Sequence, residues 1–155
     1  MCDYSLYAIP NRLAEDGERV ALYRFGTGTI GFASCGDVQS NQTRQRGWKK
    51  FCSEMKALLL PRRCPGVPAV CMPPGTRLLM SNIPVEIQRV HGMHSGDAVV
   101  ATEISSRSYS YRDALILPNG KCVLLQELPE GLEALVLSTA LEVVENAEPV
   151  EVFVR

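Results

Sequence analysis

The stretch "LILPNGKCVLL", Leu115 to Leu125, constrains the fold more than any other part of the sequence. Two apolar runs flank Asn119-Gly120, the residue pair that a type I′ hairpin turn needs, because both central residues must take positive φ. Pro118 stands just before the pair, where a strand ends rather than inside one. A chain that reverses this tightly pairs neighbouring segments antiparallel. Further short β-type runs occur in "YSLYAI" (4–9), "RVALYRF" (19–25), "TRLLM", "VEIQRV", "DAVVATEI", "EALVLSTALEVV" and "VEVFV". "NRLAEDGE" is turn-like, and "LPEGLEALVL" suggests a second tight reversal at Glu130-Gly131. Many short strands separated by turn signals predict a mainly β domain, a small antiparallel β-barrel or sandwich.

One segment breaks the pattern. In "TRQRGWKKFCSEMKALLL", Thr43 to Leu60, the residues Trp48, Phe51, Cys52, Met55, Leu58 and Leu59 recur at helical spacing. The spacing predicts one inserted amphipathic α-helix over 43–60, ended by Pro61, which cannot donate the next backbone bond. Arg44, Arg46, Lys49, Lys50 and Lys56 lie largely opposite the apolar stripe, and Arg62 and Arg63 follow. Glutamates fill the C-terminal region from Glu127 to Glu151, so a net charge of −1 hides a polarised chain. "CPGVPAVCMPPG", 64–75, holds four prolines and reads as an extended connector between helix and barrel. No internal repeat or second-domain boundary is visible, and 155 residues are about one domain.

Composition excludes several classes. With 46% hydrophobic and 21% charged residues the chain is an ordinary globular one. A near-zero net charge gives no global field toward nucleic acid or an anionic membrane. No apolar run approaches membrane-spanning length, and the first residues lack the basic and apolar regions of a secretory signal. Six cysteines at irregular spacings point to reduced thiols and a cytoplasmic location.

Four groups of residues carry site-like chemistry, each with a plainer structural role open to it. Gly26, Gly28 and Gly31 match GxGxxG, but "IGFASCGD" follows where a dinucleotide fold needs a helix, so a bent or bulged hairpin is expected instead. His91 and His94 with Cys64 and Cys71 have zinc-type ligand chemistry at poor spacing, so two loop histidines are expected, with no metal and no cofactor. Cys2, if Met1 is removed, carries a thiol and an α-amine on one carbon and could act as an N-terminal nucleophile. That makes a thiol hydrolase or transferase the alternative to a buried small side chain. The basic helix, through Arg46, Trp48, Lys49, Lys50, Lys56, Arg62 and Arg63, could meet an acidic protein partner.

"MCDYSL" (1–6), "CMPPGTRL" (71–78), "DALILPNGKCVLL" (113–125) and, more faintly, "GFA" (31–33) occur in an order that resembles an uncharacterised bacterial family of small proteins beginning MCDYSL. The resemblance covers about a fifth of the chain. It implies a small bacterial cytoplasmic protein and no known activity. Members carry histidine before the "DAL" segment, where this chain has Tyr111-Arg112, so no role of those histidines carries over. Members also pass from "GFA" almost directly to the "PGT" segment, which makes 36–70 an insertion here. The combined expectation is a single mainly β domain acting as a non-enzymatic accessory or interaction protein that docks on a protein partner. Nucleic acid, a membrane span and a small-molecule substrate are not expected.

Overall fold

A computed structural model of the chain describes residues 6, 9–52, 66–104 and 111–139, and for 44–52 the helical backbone alone. Strands and helices follow one another as β1 (Asn11–Leu13), β2 (Arg19–Arg24), β3 (Ile30–Ser34), α1 (Cys35–Cys52), β4 (Ala69–Cys71), β5 (Arg77–Ser81), α2 (Val85–His91), β6 (Ala98–Glu103), β7 (Asp113–Ile116), β8 (Cys122–Leu124) and β9 (Glu133–Ser138). A 3₁₀ turn, Leu125–Glu127, follows β8. Seven strands form one sheet in the spatial order β3-β2-β9-β5-β6-β7-β8, with every pair antiparallel. β1 and β4 form a separate parallel pair. The mainly β, antiparallel expectation therefore holds.

Alternation along the strands places one face inside. Val20 and Leu22, Leu78 and Met80, Val99 and Ala101, and Ala134 and Val136 are buried in one cluster with Phe32, Leu115 and Val123. Seven strands laid flat would hold their edges about 29 Å apart, at about 4.8 Å per step. Yet Gln126, just past edge strand β8, bonds to Ile30 in the opposite edge strand β3. The sheet therefore curls around its core. Among the described residues no backbone ladder joins β3 to β8; a side chain bridges the two edges.

Strands β2 and β3 are also covered outside. Leu6, Phe25, Ala33, Val67 and Ala69 form a second cluster, against which Ile9, Tyr23 and Val38 pack. Arg12 of β1 bonds to both carboxylate oxygens of Glu18, the Nη1–Oε2 distance being 2.9 Å, and Glu15 N–H donates to the same carboxylate. This ties the β1–β2 connection to the sheet.

Two hairpins close identically. In one, Gly28 N–H donates to Phe25 O and Phe25 N–H to Thr29 O; in the other, Gly120 N–H donates to Leu117 O and Leu117 N–H to Lys121 O. Only the glycine takes positive φ, +86° at Gly28 and +79° at Gly120. The Asn119-Gly120 reversal is thus not a type I′ turn. Pro118, with φ fixed near −65°, suits the first central position of a type I turn, and Gly120 forms the glycine bulge after it. Gly28 and Gly31 answer the GxGxxG spacing with structure alone. The first turns the β2–β3 hairpin, and a Cβ at Gly31 would stand 2.9 Å from Leu6 Cδ1.

Other boundaries also differ from expectation. "VEIQRV" is helix, not strand, because Ile87 and His91 fall at i and i+4 on the core side, His91 buried and Ile87 packed against the core, with buried Ile83 just ahead of the N-cap Pro84. Val85 and Val90, β-formers that lend the run its strand-like composition, are exposed at 54% and 67%. α1 starts at Cys35, eight residues before the predicted Thr43, since the polar "CGDVQSNQ" has helical backbone without an apolar stripe to announce it. Residues 53–60 of the predicted helix lie outside the described residues. The connector 64–75 contains β4, and the turn-like "NRLAEDGE" contains β1. Each is only three residues long and parallel to the other, too short for an alternation signal.

Candidate functional site

α1 grows directly out of edge strand β3, Ser34 leading into Cys35. Its first turns pack on β2 and β3, with Val38 set against the second apolar cluster. After that anchor Gln39, Ser40, Gln42 and Thr43 are exposed, and only Asn41 is half-buried. Asp37, Ser40, Asn41 and Thr43 border an open groove of about 870 Å³ that separates the helix from Gly66–Pro68. At 1.5 Å per residue, 18 residues run about 27 Å, against about 17 Å for the five-residue strand it leaves. Arg46, Trp48, Lys49 and Lys50 fall on the helical backbone of this element. Lys56, Arg62 and Arg63 lie outside the described residues.

The proposed zinc residues separate. His91 ends α2 and is buried, its Nδ1 without a hydrogen-bond partner among the described residues. Its carbonyl accepts from Asn119 Nδ2 at 3.1 Å, which fastens the β7–β8 turn to the helix end. His94 is exposed; its backbone N–H donates to Asp97 Oδ2 at 2.6 Å, and its Nδ1 lies 3.4 Å from Gln88 Oε1. Cys71 is disulfide-bonded, so it offers no thiolate, where the sequence reading expects reduced thiols throughout. Cys64 lies outside the described residues. Among the described residues no group of three or more His, Cys, Asp or Glu side chains could hold a metal ion.

Cys2 likewise lies outside the described residues, but Leu6 is described and buried. Leu6 helps line a small cavity with Gly31, Phe32, Met72, Thr102 and Asp113. The cavity volume is about 10 Å³, room for a single water and no substrate.

Electrostatics set two further groups apart. Burial alone would raise the Glu18 carboxyl, but hydrogen bonds from Arg12 and the Glu15 backbone outweigh it and hold the group below the usual carboxylate range. Burial pushes the Cys35 thiol up, and nearby Glu133 pushes the same way against Arg19. A thiol so placed is a poor nucleophile at neutral pH.

The outward face of β5, β6, β7 and β9 carries apolar residues that the strand patterns alone do not mark as a surface. There Leu79, Val100 and Leu135 are half-buried, and Ile116 and Leu137 are 39% and 42% exposed. The available signal was apolar residues at both parities of "RLLM" and "ALVLS", which a sheet with one solvated face does not need. No helix is long and apolar enough to cross a membrane among the described residues. No protein-family model, curated protein or solved structure matches the chain.

Proposed function

We propose that this protein is a non-enzymatic interaction module that docks on a protein partner through α1. The observation that carries the reading is the mounting of the helix: anchored at Val38, then exposed along its next turns beside an open groove. Tryptophan is an effective anchor in a partner's pocket, and arginines and lysines nearby steer an acidic partner and fix its orientation.

The same proposal takes the curled sheet as a small barrel closed at Gln126, with α1 inserted between β3 and β4. The resemblance to the MCDYSL family belongs to it and adds no activity. A cytoplasmic location rests on cysteine usage, against which stands the Cys71 disulfide. Intact mass of the natively isolated protein, alkylated before and after reduction, decides between the two.

Trp48 is the single tryptophan, so its fluorescence reads the helix directly. A solvated emission maximum in the isolated protein that shifts to the blue with co-purifying partners supports the reading. Reversing Lys49, Lys50 and Lys56 to glutamate should weaken the complex in a salt-dependent way with little loss of stability. Deleting 42–63 and finding every native partner still bound would refute it.

A further inference from the structure

We propose that Asn119 is a modification site: a self-deamidating asparagine held shut by the fold and released whenever the β7–β8 turn lifts from α2. The site shares no residue with α1, so the inference stands or falls independently of the docking helix. Asn119-Gly120 is the single Asn-Gly pair in the sequence. Asparagine is thermolabile because the backbone nitrogen of the next residue can attack its side-chain amide. Glycine in that next position obstructs the attack least, having no Cβ. Among the described residues nothing beyond its chain neighbours stands within 4 Å of the position a Gly120 Cβ would take. Pro118, Asn119, Gly120 and Lys121 are all exposed, so water and hydroxide reach the pair.

The reaction needs water alone as co-reactant. The Gly120 nitrogen gives up its proton to hydroxide and bonds to Asn119 Cγ. The bond from Cγ to Nδ2 breaks, and Nδ2 leaves as ammonia with a proton taken from water, which restores the hydroxide. Water then opens the cyclic succinimide. Cleavage between Cγ and the Gly120 nitrogen yields aspartate. Cleavage between the Asn119 carbonyl carbon and that nitrogen yields isoaspartate, which routes the main chain through the side chain.

Every reacting group is committed elsewhere in the folded chain. The Gly120 N–H donates to Leu117 O at 2.9 Å, so the proton that must leave is already bonded. Asn119 Oδ1 accepts from Lys121 N–H at 2.9 Å and Nδ2 donates to His91 O at 3.1 Å, so the carboxamide is held at both ends. α2 stands against it, for a Cβ at Gly92 would lie 3.0 Å from Nδ2. His91 O belongs to the last turn of α2, where carbonyls lack a partner along the helix, and Asn119 supplies the missing donor. Either product removes that donor. A carboxylate oxygen has no proton to give, so acceptor faces acceptor at His91 O, and isoaspartate also lengthens the turn. Deamidation therefore unfastens α2 from the hairpin for good, and an opening of the turn leaves a lasting chemical record.

Incubating the full chain in mildly alkaline buffer, folded and in parallel unfolded in guanidinium chloride, tests it. Peptide mass spectrometry locates aspartate and isoaspartate at position 119. The expected result is modification at least about tenfold slower in the folded chain, since these hydrogen bonds must open first. Gly92→Ala, whose methyl presses on Nδ2, should speed the reaction of the folded chain beyond what its change in global stability accounts for, and leave the unfolded rate unaltered. Asn119→Asp makes one product directly and should speed hydrogen exchange in the last turn of α2. The parent comparison and Asn119→Asp do not depend on whether Gly92→Ala folds. Equal rates in the folded and unfolded parent, or no modification in either, overturn the proposal. A folded Gly92→Ala chain that reacts no faster than its global unfolding allows, or an Asn119→Asp chain with exchange in α2 unchanged, overturns it equally.

Discussion

The Gln126 carboxamide takes both backbone groups of Ile30, its Nε2 donating to the carbonyl at 2.7 Å and its Oε1 accepting from the N–H at 3.1 Å. One side chain thus satisfies the partners a neighbouring strand would otherwise supply, at the point where the two sheet edges meet. Replacing it by alanine strands a buried N–H and a buried C=O together, for Ile30 is only 2% exposed. Gln126→Ala should cost about 2–6 kcal/mol, from about 1–3 kcal/mol for each of the two unmet groups. Denaturant unfolding measures the loss, and hydrogen exchange at the Ile30 amide should accelerate beyond the global effect. A loss below about 0.5 kcal/mol would mean that water replaces the side chain and the edges do not depend on it.

Gly120 sits at φ +79° with no atom near its absent Cβ, so the strain of a substitution there is one of backbone alone. Gly120→Val should lower stability by roughly 1–3 kcal/mol, because a β-branched residue is costly at positive φ. Gly120→Asn should cost less, since asparagine tolerates that region. Equal melting temperatures for the two variants would contradict the backbone account.

Asn119 links the same turn to α2. Its Nδ2 donates to His91 O at 3.1 Å and its Oδ1 accepts from Lys121 N–H at 2.9 Å. Asn119→Ala should destabilise by about 1–2 kcal/mol and speed exchange in the last turn of α2 as well as in the hairpin, as two lost hydrogen bonds imply. A change confined to the hairpin would show that the link to His91 carries no energy.

Glu18 gives the fold an acid-sensitive tie. Its carboxyl is held below the ordinary range in the folded chain, so the stability it contributes is complete above the unfolded-state value, near pH 4.3. That contribution is lost as pH falls through the lower folded value. Arg12 is partly exposed, with 39% of its side chain accessible, so solvent screens the pair and the effect is modest. Glu18→Gln should flatten the pH dependence of the melting temperature below about pH 4.5 and leave its slope at pH 7 alone. A parallel curve for the variant at all pH values would remove Glu18 from the account.

The two thiols that are free among the described residues should react very differently. Cys122 is exposed, while Cys35 is half-buried with its thiol pushed up by burial and by Glu133. Iodoacetamide at pH 7 should modify Cys122 first and leave Cys35 largely untouched, with Cys35 labelling rising on denaturation. Faster modification of Cys35 would reveal an activated thiol at the start of α1.

Local rules carried most of the strands. β2, β5, β6, β7, β8 and β9 all fall within runs whose β-formers and flanking turn residues mark them in the sequence, because side-chain alternation and glycine placement act over a few residues. The hairpin at Asn119-Gly120 was legible as a reversal, though its turn type depended on Pro118 as well as on the pair. What the sequence could not determine was set by contacts between distant segments. "VEIQRV" became helix because Ile87 and His91 found the core on one side, behind buried Ile83. β1 and β4 are strands only because segments 58 residues apart at Asn11 and Ala69 meet. The curl of the sheet depends on Gln126 meeting Ile30 across 96 positions, and the apolar rows around Leu79 exist only once four strands stand in register. Propensity and periodicity describe a residue's neighbours along the chain, whereas register, edge closure and the face left uncovered are decided by burial between segments, which no local window contains.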